Sequence, residues 1–448
     1  MANHDDSHER LARLEQMAAQ LLERARAAGA TQAEVACGED RGLNVNVRMG
    51  EVETVESTRD RSIAITVYFG QRKGSASTAD LREDSLIATV AQACAIARYT
   101  EQDPAAGLAD AELMATDLRE FDAWHPWALD ADRAVDIALA CEQAGRDAET
   151  HVTNSDGASV STSQSVGVYA NSHGFVGRER GTQHSIGCVL IAGHGDAMQR
   201  DGWYTLGLAA DDLQAAAAVG REAAARAVAR LAPRQLPTGT LPVLFSAPSA
   251  RSLIGHLLAA VSGGALYRKA SFLLDAAGTR LFPQWFSIFE DPFLQRGLHS
   301  AAFDAEGVAT RASPLVEAGT LQRYVLGSYS ARKLGLRTTA NAGGVHNLLV
   351  SANAADERAM IGGIQRGLLV TELMGQGVNP VTGDYSRGAA GFLIENGAIA
   401  HPVDNITIAG NLRQMFAAIE AAGADYDRRS HIRCGPLLVG GMTVAGQG

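Results

Sequence analysis

The chain is predicted to be α+β, with an N-terminal α/β domain of helix-strands-helix units over residues 1–235 and a larger, strand-rich C-terminal domain over residues 236–448. Three observations predict it. The length of 448 residues exceeds what one core supports, since cores stop growing at about 250 to 300 residues. The hydrophobic period alternates between helix-like and strand-like along the first half. The stretch Leu231-Ala232-Pro233-Arg234-Gln235-Leu236-Pro237-Thr238-Gly239 then breaks the pattern with two prolines and a glycine, and turn-bounded strands dominate beyond it.

In chain order, Leu11, Leu14, Met17, Leu21 and Leu22 predict an amphipathic helix over 8–28 that stops at Gly29. The period then becomes two. Leu43, Val45, Val47 and Met49 alternate with polar residues, Met49-Gly50-Glu51 turns the chain, and Ile63, Ile65, Val67 and Phe69 alternate again. A helix follows from about Asp80 to Arg98. The order then repeats: a helix near Asp132 to Gly145, strands at Val160 to Tyr169 and His184 to Ile191, and an Ala-rich helix from Asp211 to Leu231, which points to one unit used twice. Past the break, strands are expected at Leu241 to Phe245, on both sides of Gly319, and at Leu368 to Leu373. Phe392 to Ile399 reads as a hairpin, because Asn396-Gly397 supplies both positive φ values of a type I′ turn. Helices are expected at 248–262, about 328–335, and 411–422.

Composition excludes several classes. Hydrophobic residues make up 46% and charged residues 20%, an ordinary globular balance. A net charge of −11 without a Lys/Arg stripe argues against direct nucleic-acid binding. Lysine occurs only at 73, 269 and 333 while arginine is abundant, which codon bias or a need for bidentate carboxylate pairing would produce. No run approaches the ~18 apolar residues of a membrane span, and the polar start Met1 to His8 is unlike a signal peptide. Cysteines 37, 94, 141, 188 and 434 are odd in number and form no C-x-x-C pair, so neither a disulfide framework nor a zinc ribbon is indicated. A cytoplasmic location is expected.

A zinc-peptidase helix needs two His on one face with an adjacent Glu, but the only His-Glu pair is His8-Glu9, with no second His in register. In the helix predicted at 248–262, Leu253, Ile254, Leu257, Leu258 and Val261 form the apolar stripe, leaving Arg251, Ser252, Gly255 and His256 opposite. Ser330 and Lys333 match S-x-x-K, either a serine with a basic lysine one turn away or a helix with a solvated lysine. Asp304 and Glu306, with Glu290 and Asp291, offer an acid/base or oxygen-ligand site, or an ordinary surface loop. The segment Val381 to Phe392 reads as a loop carrying Asp384, Tyr385 and Arg387, whose glycines would let an extended peptide approach; packing in the core is the other reading. His346, in Gly343-Gly344-Val345-His346-Asn347, has the same character. No phosphate loop, dinucleotide fingerprint or nucleophile elbow is found.

Six stretches carry a resemblance: Gly264 to Leu273, Phe303 to Gly307, Tyr329 to Gly335, Thr371 to Asn379, Thr382 to Gly388 and Ile408 to Leu412. Together they resemble the TldD/PmbA family and, within it, the PmbA (TldE) branch. The resemblance runs from about residue 30 to the C-terminus and is weaker in the first half. In TldD-type relatives an H-E-x-x-x-H helix and a late cysteine are the expected metal ligands, and the corresponding positions here are Arg251, Ser252, His256 and Cys434. The resemblance therefore implies a vestigial metal site, with no metal and no catalytic residue in this chain. It further implies a cytoplasmic subunit of a hetero-oligomeric TldD/TldE-type peptidase whose zinc belongs to the TldD-like partner. Unfolded peptides, leaders of modified peptide antibiotics and antitoxin-type proteins are the expected substrates, with a homodimer as the expectation left open for the isolated chain. A metal-free hydrolase using Ser330 and Lys333, and a non-catalytic peptide-binding module, are the alternatives.

Overall fold

The computed structural model describes residues 6–446, so part of the Met1 to His8 segment read above lies outside the described residues. The first part of the chain is one helix-strands-helix unit built twice. Helix α1 (Ser7–Ala27), strands β1 (Gln32–Arg48), β2 (Glu51–Phe69) and β3 (Arg72–Thr78) and helix α2 (Glu83–Tyr99) make the first copy. Helix α3 (Ala131–Ala148), strands β4 (Val152–Asn171), β5 (Val176–Ala192) and β6 (Gln199–Gly207) and helix α4 (Ala216–Ala229) make the second. The six strands form one antiparallel sheet in the order β3-β2-β1-β4-β5-β6, so the copies meet along β1 and β4, from Glu34 opposite Asn171 to Val47 opposite Ala158. A pseudo-dyad passes through that seam.

Both helix pairs cover the same face of the sheet, at opposite ends. Leu11, Leu14 and Leu21 of α1 and Leu86 and Val90 of α2 bury Val35, Ile63, Ile65 and Val67. Ala138 and Cys141 of α3 and Val219 and Ala223 of α4 bury Val45, Val160, Ile186 and Leu190. The α3–α4 contact is close enough to need glycine: a Cβ on Gly220 would lie 1.9 Å from the Cys141 carbonyl oxygen.

From Gly239 onward the elements are β7 (Gly239–Phe245), α5 (Ala247–Ala260), α6 (Gly263–Tyr267), β8 (Ile288–Asp291), β9 (Ser313–Glu317), β10 (Thr320–Leu321), α7 (Ser328–Leu334), β11 (Asn347–Val350) and α8 (Glu357–Gly362). Strands β12 (Arg366–Met374), β13 (Asp384–Glu395) and β14 (Ala398–Asn411) follow, then α9 (Leu412–Ala417), β15 (Ile419–Ala422), β16 (Ile432–Arg433) and β17 (Leu437–Gly446). One sheet runs β14-β13-β12-β7-β17-β15, and β14 also pairs with β17, so five strands close into a ring that leaves no open edge among them. The other runs β10-β9-β8-β11-β16. Helix α5 packs its Leu253, Ile254 and Leu257 into the shared core with Val243, Phe245, Val370 and Tyr385. This part exceeds the first in number of sheets and in the size of its core, though not in chain length.

The hairpin at Asn396-Gly397 is as expected, with φ of 51° and 77°. Two expectations are corrected. The helix placed at 411–422 ends at Ala417, because Ile419 pairs with Val439 and the strand outcompetes further helical turns. The segment Val381 to Phe392 is not a loop, since β13 begins at Asp384 and is hydrogen-bonded on both sides. Its small residues admit a neighbouring strand of the same chain: a Cβ on Gly391 would lie 1.9 Å from the Leu369 carbonyl oxygen. Among the described residues no helix is long and apolar enough to cross a membrane.

Candidate functional site

Helix α5 follows directly on β7, with Pro248 in its first turn where no helical N–H is needed. Leu253, Ile254 and Leu257 of its stripe, with Val261 just past its end, are at most 1% exposed, while Leu258 is half-buried. Arg251, Ser252, Gly255 and His256 are half-buried. The Arg251 guanidinium lies 3.3 Å from the Asp427 carboxylate, which Arg429 also holds at 2.8 Å. Burial raises the cost of charging Asp427, but hydrogen bonds from Arg429 and the charges of both arginines outweigh it and hold the acid below its usual range. Arg429 in turn lies over the rings of Trp203 and Tyr204, at 3.9 and 4.3 Å, and donates to the Tyr204 carbonyl. The pair therefore ties α5 to the first sheet.

The other three positions, Ser252, His256 and Cys434, carry no fixed charge. Burial pushes the Cys434 thiol up to about 12 despite the opposing charge of Arg251, and the sulfur donates to its neighbour's carbonyl at 3.2 Å. The pKa of His256 is lowered, first by burial and then by the charge of Arg387. Its ring meets Tyr385 edge-on at 5.9 Å, and among the described residues neither His256 Nε2 nor the Tyr385 hydroxyl has a hydrogen-bond partner. The Ser252 hydroxyl donates back to the Ser249 carbonyl at 2.7 Å. Among the described residues no three His, Cys, Asp or Glu side chains converge as metal ligands. The permanently charged Arg251 guanidinium has no lone pair to offer a cation, so these four side chains do not make a three-ligand zinc set.

The residues expected to meet substrate separate. Asp384 and Arg387 lie on β13, the first exposed and the second half-buried. Asp384 is held low by hydrogen bonds from Thr382 and Asn411. Arg387 donates to the Met374 carbonyl at 3.4 Å and forms no ion pair among the described residues, which leaves its fork available. Tyr385 is 1% exposed and packs in the core. His346 is also buried: its Nδ1 lies 2.9 Å from Glu290, which binds Arg323 and Asn341 as well. Its role is to hold the β8–β11 region together.

The serine-lysine pair is not a catalytic dyad. Ser330 donates to Gly327 at 3.0 Å, and Lys333 Nζ is bonded to Asp103 at 2.8 Å, an arrangement that raises the pKa of an amine that would have to be lowered. Asp304 is no surface loop residue; it is 4% exposed, accepts the N–H groups of Glu306, Val308 and Ala342, and is pushed up to about 6 by burial. Glu306 accepts the Ser328 N–H at the start of α7. Sequence reasoning missed Asp427, Arg429 and His431. His431 stacks on His299 at 3.8 Å and is pushed down to about 4, by burial first and then by His299 and Arg251. The signal was a run of Asp, Arg and His within seven positions of Cys434.

Family profiles match most of the chain: PmbA/TldA metallopeptidase domain 1 over 33–97, the central domain over 124–231 and the C-terminal domain over 238–446. The chain belongs to the PmbA/TldD metallopeptidase family. It is 46% identical to metalloprotease PmbA of Escherichia coli O157:H7 over 415 residues, 93% of this chain and 92% of that one. A Bacteroides thetaiotaomicron protein, described as a modulator of DNA gyrase, superposes with a TM-score of 0.92 at 24% identity, over 97% of this chain and 99% of that one. TldE of Thermococcus kodakarensis superposes at 0.83 with 19% identity, covering 96% and 100%. The two structural likenesses carry the fold. The sequence match carries membership of the PmbA branch.

Proposed function

We propose that this chain is the PmbA/TldE-type subunit of a cytoplasmic, hetero-oligomeric metallopeptidase, inactive alone, in which a TldD-like partner supplies the zinc. One observation carries the reading: Arg251, which the family resemblance sets at the first ligand position of the metal helix, is paired with buried Asp427. A fixed cation there neutralises the acid and opposes a divalent ion at the same place. The fold of α5 thus outlives its chemistry.

The work left to this chain is to shape the cleft and hold the peptide. Arg387, half-buried and without an acidic partner among the described residues, suits a carboxylate of an extended substrate. Such a cleft favours unfolded chains, modified-peptide leaders and antitoxin-type proteins over folded ones. Neither alternative is favoured by a specific contact, since Ser330 and Lys333 are engaged elsewhere. The test is a pull-down from native cytosol with metal analysis of the isolated chain and of the complex. Zinc and peptidase activity are expected in the complex alone; stoichiometric zinc in the isolated chain would overturn the reading.

A further inference from the structure

We propose that the outer edge of β2, from Glu51 to Thr58, takes up an extended basic segment of another chain as an added strand. Strand β2 pairs with β1 from Glu51 to Tyr68, whereas β3 covers its other side only from Ile63 to Phe69. Among the described residues no backbone group bonds to the outer side of the stretch before Ile63. The ten residues from Glu51 to Asp60 are all exposed. Such an edge displays alternate N–H and C=O groups, a template for a further strand. It holds no proline or lysine, and its bulge lies at its very start, opposite Asn46 and Val47, so charge is what blunts the rest. None of these residues belongs to α5 or β13, so the inference stands apart from the peptidase reading.

The edge is held ready. Glu142 of α3, 1% exposed, accepts the Met49 N–H on one carboxylate oxygen and the Gly50 N–H on the other, each at 2.8 Å, which clamps the turn between β1 and β2. A strand fixed before binding loses little freedom when a partner adds to it. The second copy shows the equivalent edge engaged. Arg41 and Gln164 are opposite each other at the seam, and their outer neighbours are Arg59 of β2 and Thr182 of β5. Strand β6 pairs with β5 only from His184 onward. Just before that point the Thr182 N–H donates to the Ala123 carbonyl at 2.9 Å, and the His125 N–H donates to the Thr182 hydroxyl at 2.9 Å. A connecting stretch of the same chain therefore lies against β5, where β2 carries none among the described residues.

The side chains select the occupant. Glu51, Glu56 and Asp60 lie opposite Arg48, Asn44 and Asp40 on the face without helices, while Val52 and Val55 lie opposite Val47 and Val45 on the helix-covered face. Both valines are exposed, at 48% and 46%. Acid on one face and apolar surface on the other fit a strand in which lysine or arginine alternates with apolar residues. Arg59 is the one cation between Glu51 and Asp60, and it lies 3.7 Å from Glu39. Pairing with a second copy, edge to edge, would bring Glu51, Glu53, Glu56 and Asp60 of both chains together, and like charges across a strand pair are destabilising. The occupant is therefore a basic segment of a different chain.

The test adds a fluorescein-labelled ten-residue peptide of alternating lysine and valine to the full chain alone and follows its anisotropy. Neither zinc nor a partner subunit is present, so failure here leaves the peptidase reading untouched. Saturable binding is expected, with the glutamate-valine counterpart about tenfold weaker or more. Glu53→Arg with Glu56→Arg, both at exposed positions, should weaken the lysine peptide about tenfold with unchanged circular dichroism. Hydrogen exchange separates strand addition from charge attraction alone: bound peptide should slow alternate amides between Val52 and Thr58 about tenfold or more. No binding at millimolar peptide, equal binding of the glutamate peptide, wild-type affinity in the double variant, or unaltered exchange along β2 overturns the proposal.

Discussion

Replacing Asp427 by Asn tests how much stability the Arg251–Asp427–Arg429 cluster contributes. The carboxylate is 4% exposed on its side chain and faces Arg251 at 26% and Arg429 at 11%. Removing one member of a buried pair costs about 3–5 kcal/mol, because the remaining charge is stranded. Here Arg251 keeps some water and Arg429 keeps Trp203, Tyr204 and a backbone acceptor, so we expect about 2 kcal/mol. Arg251→Met leaves the Arg429 hydrogen bonds to Asp427 intact and should cost about 1 kcal/mol. The double variant should be less damaging than the sum, since fewer like charges remain together. Because the folded pKa of Asp427 is lowered, its stabilisation is present above the unfolded value of 3.8 and is lost as pH falls through the folded one. Urea titration at pH 7, read by tryptophan fluorescence, measures the cycle. An Asp427→Asn effect under about 0.5 kcal/mol, the ordinary range of surface changes, or strict additivity, would refute the reasoning.

Three further outcomes are expected. Arg251→His with Ser252→Glu should give the chain a zinc site of modest affinity, weakened about 10 to 100-fold by missing outer partners; calorimetry showing no binding at micromolar zinc in a folded variant would mean that His256 and Cys434 do not converge. Arg387→Ala should lower kcat/KM of the complex with a TldD-like partner on several peptides while leaving assembly intact, and unchanged turnover would remove the arginine from the substrate path. Gly220→Ala should destabilise by about 1–3 kcal/mol, since a methyl 1.9 Å from the Cys141 oxygen forces α3 and α4 apart; chemical denaturation checks it, and a neutral result would mean the helices separate freely.

The first half was legible because its signals are local. Alternation through Ile63, Ile65 and Val67 and the glycine stop at Gly29 report a strand and a helix end without reference to distant residues. The strand lengths were underestimated, since Glu51 to Asp60 is exposed and polar and carries no apolar alternation, yet pairs with β1 throughout. In the second half, Asp384 to Phe392 looked like a loop because glycine and alanine have poor strand propensity; the packing of β12 against them decides the matter. Helix α5 was readable from its apolar stripe. What made Arg251 intelligible was Asp427, 176 positions later, and no local pattern links the two.

The two faces of the seam between β1 and β4 divide the work of holding the copies together. On the face without helices it pairs Gly38 with Gly167, Asp40 with Ser165, Gly42 with Ser163 and Asn44 with Ser161. That face contributes a row of backbone hydrogen bonds and little else, while the apolar contacts lie on the other, where Val45 of the first copy packs with Val160, Ala138 and Cys141 of the second. Joined in one chain, the copies meet at the effective concentration their connection sets, and the association is intramolecular. The polar face is thereby released from the need to be sticky. Each half can then diverge in side chains along it, which is how a nearly symmetric sheet comes to place Arg41 on one side of its axis and Gln164 on the other.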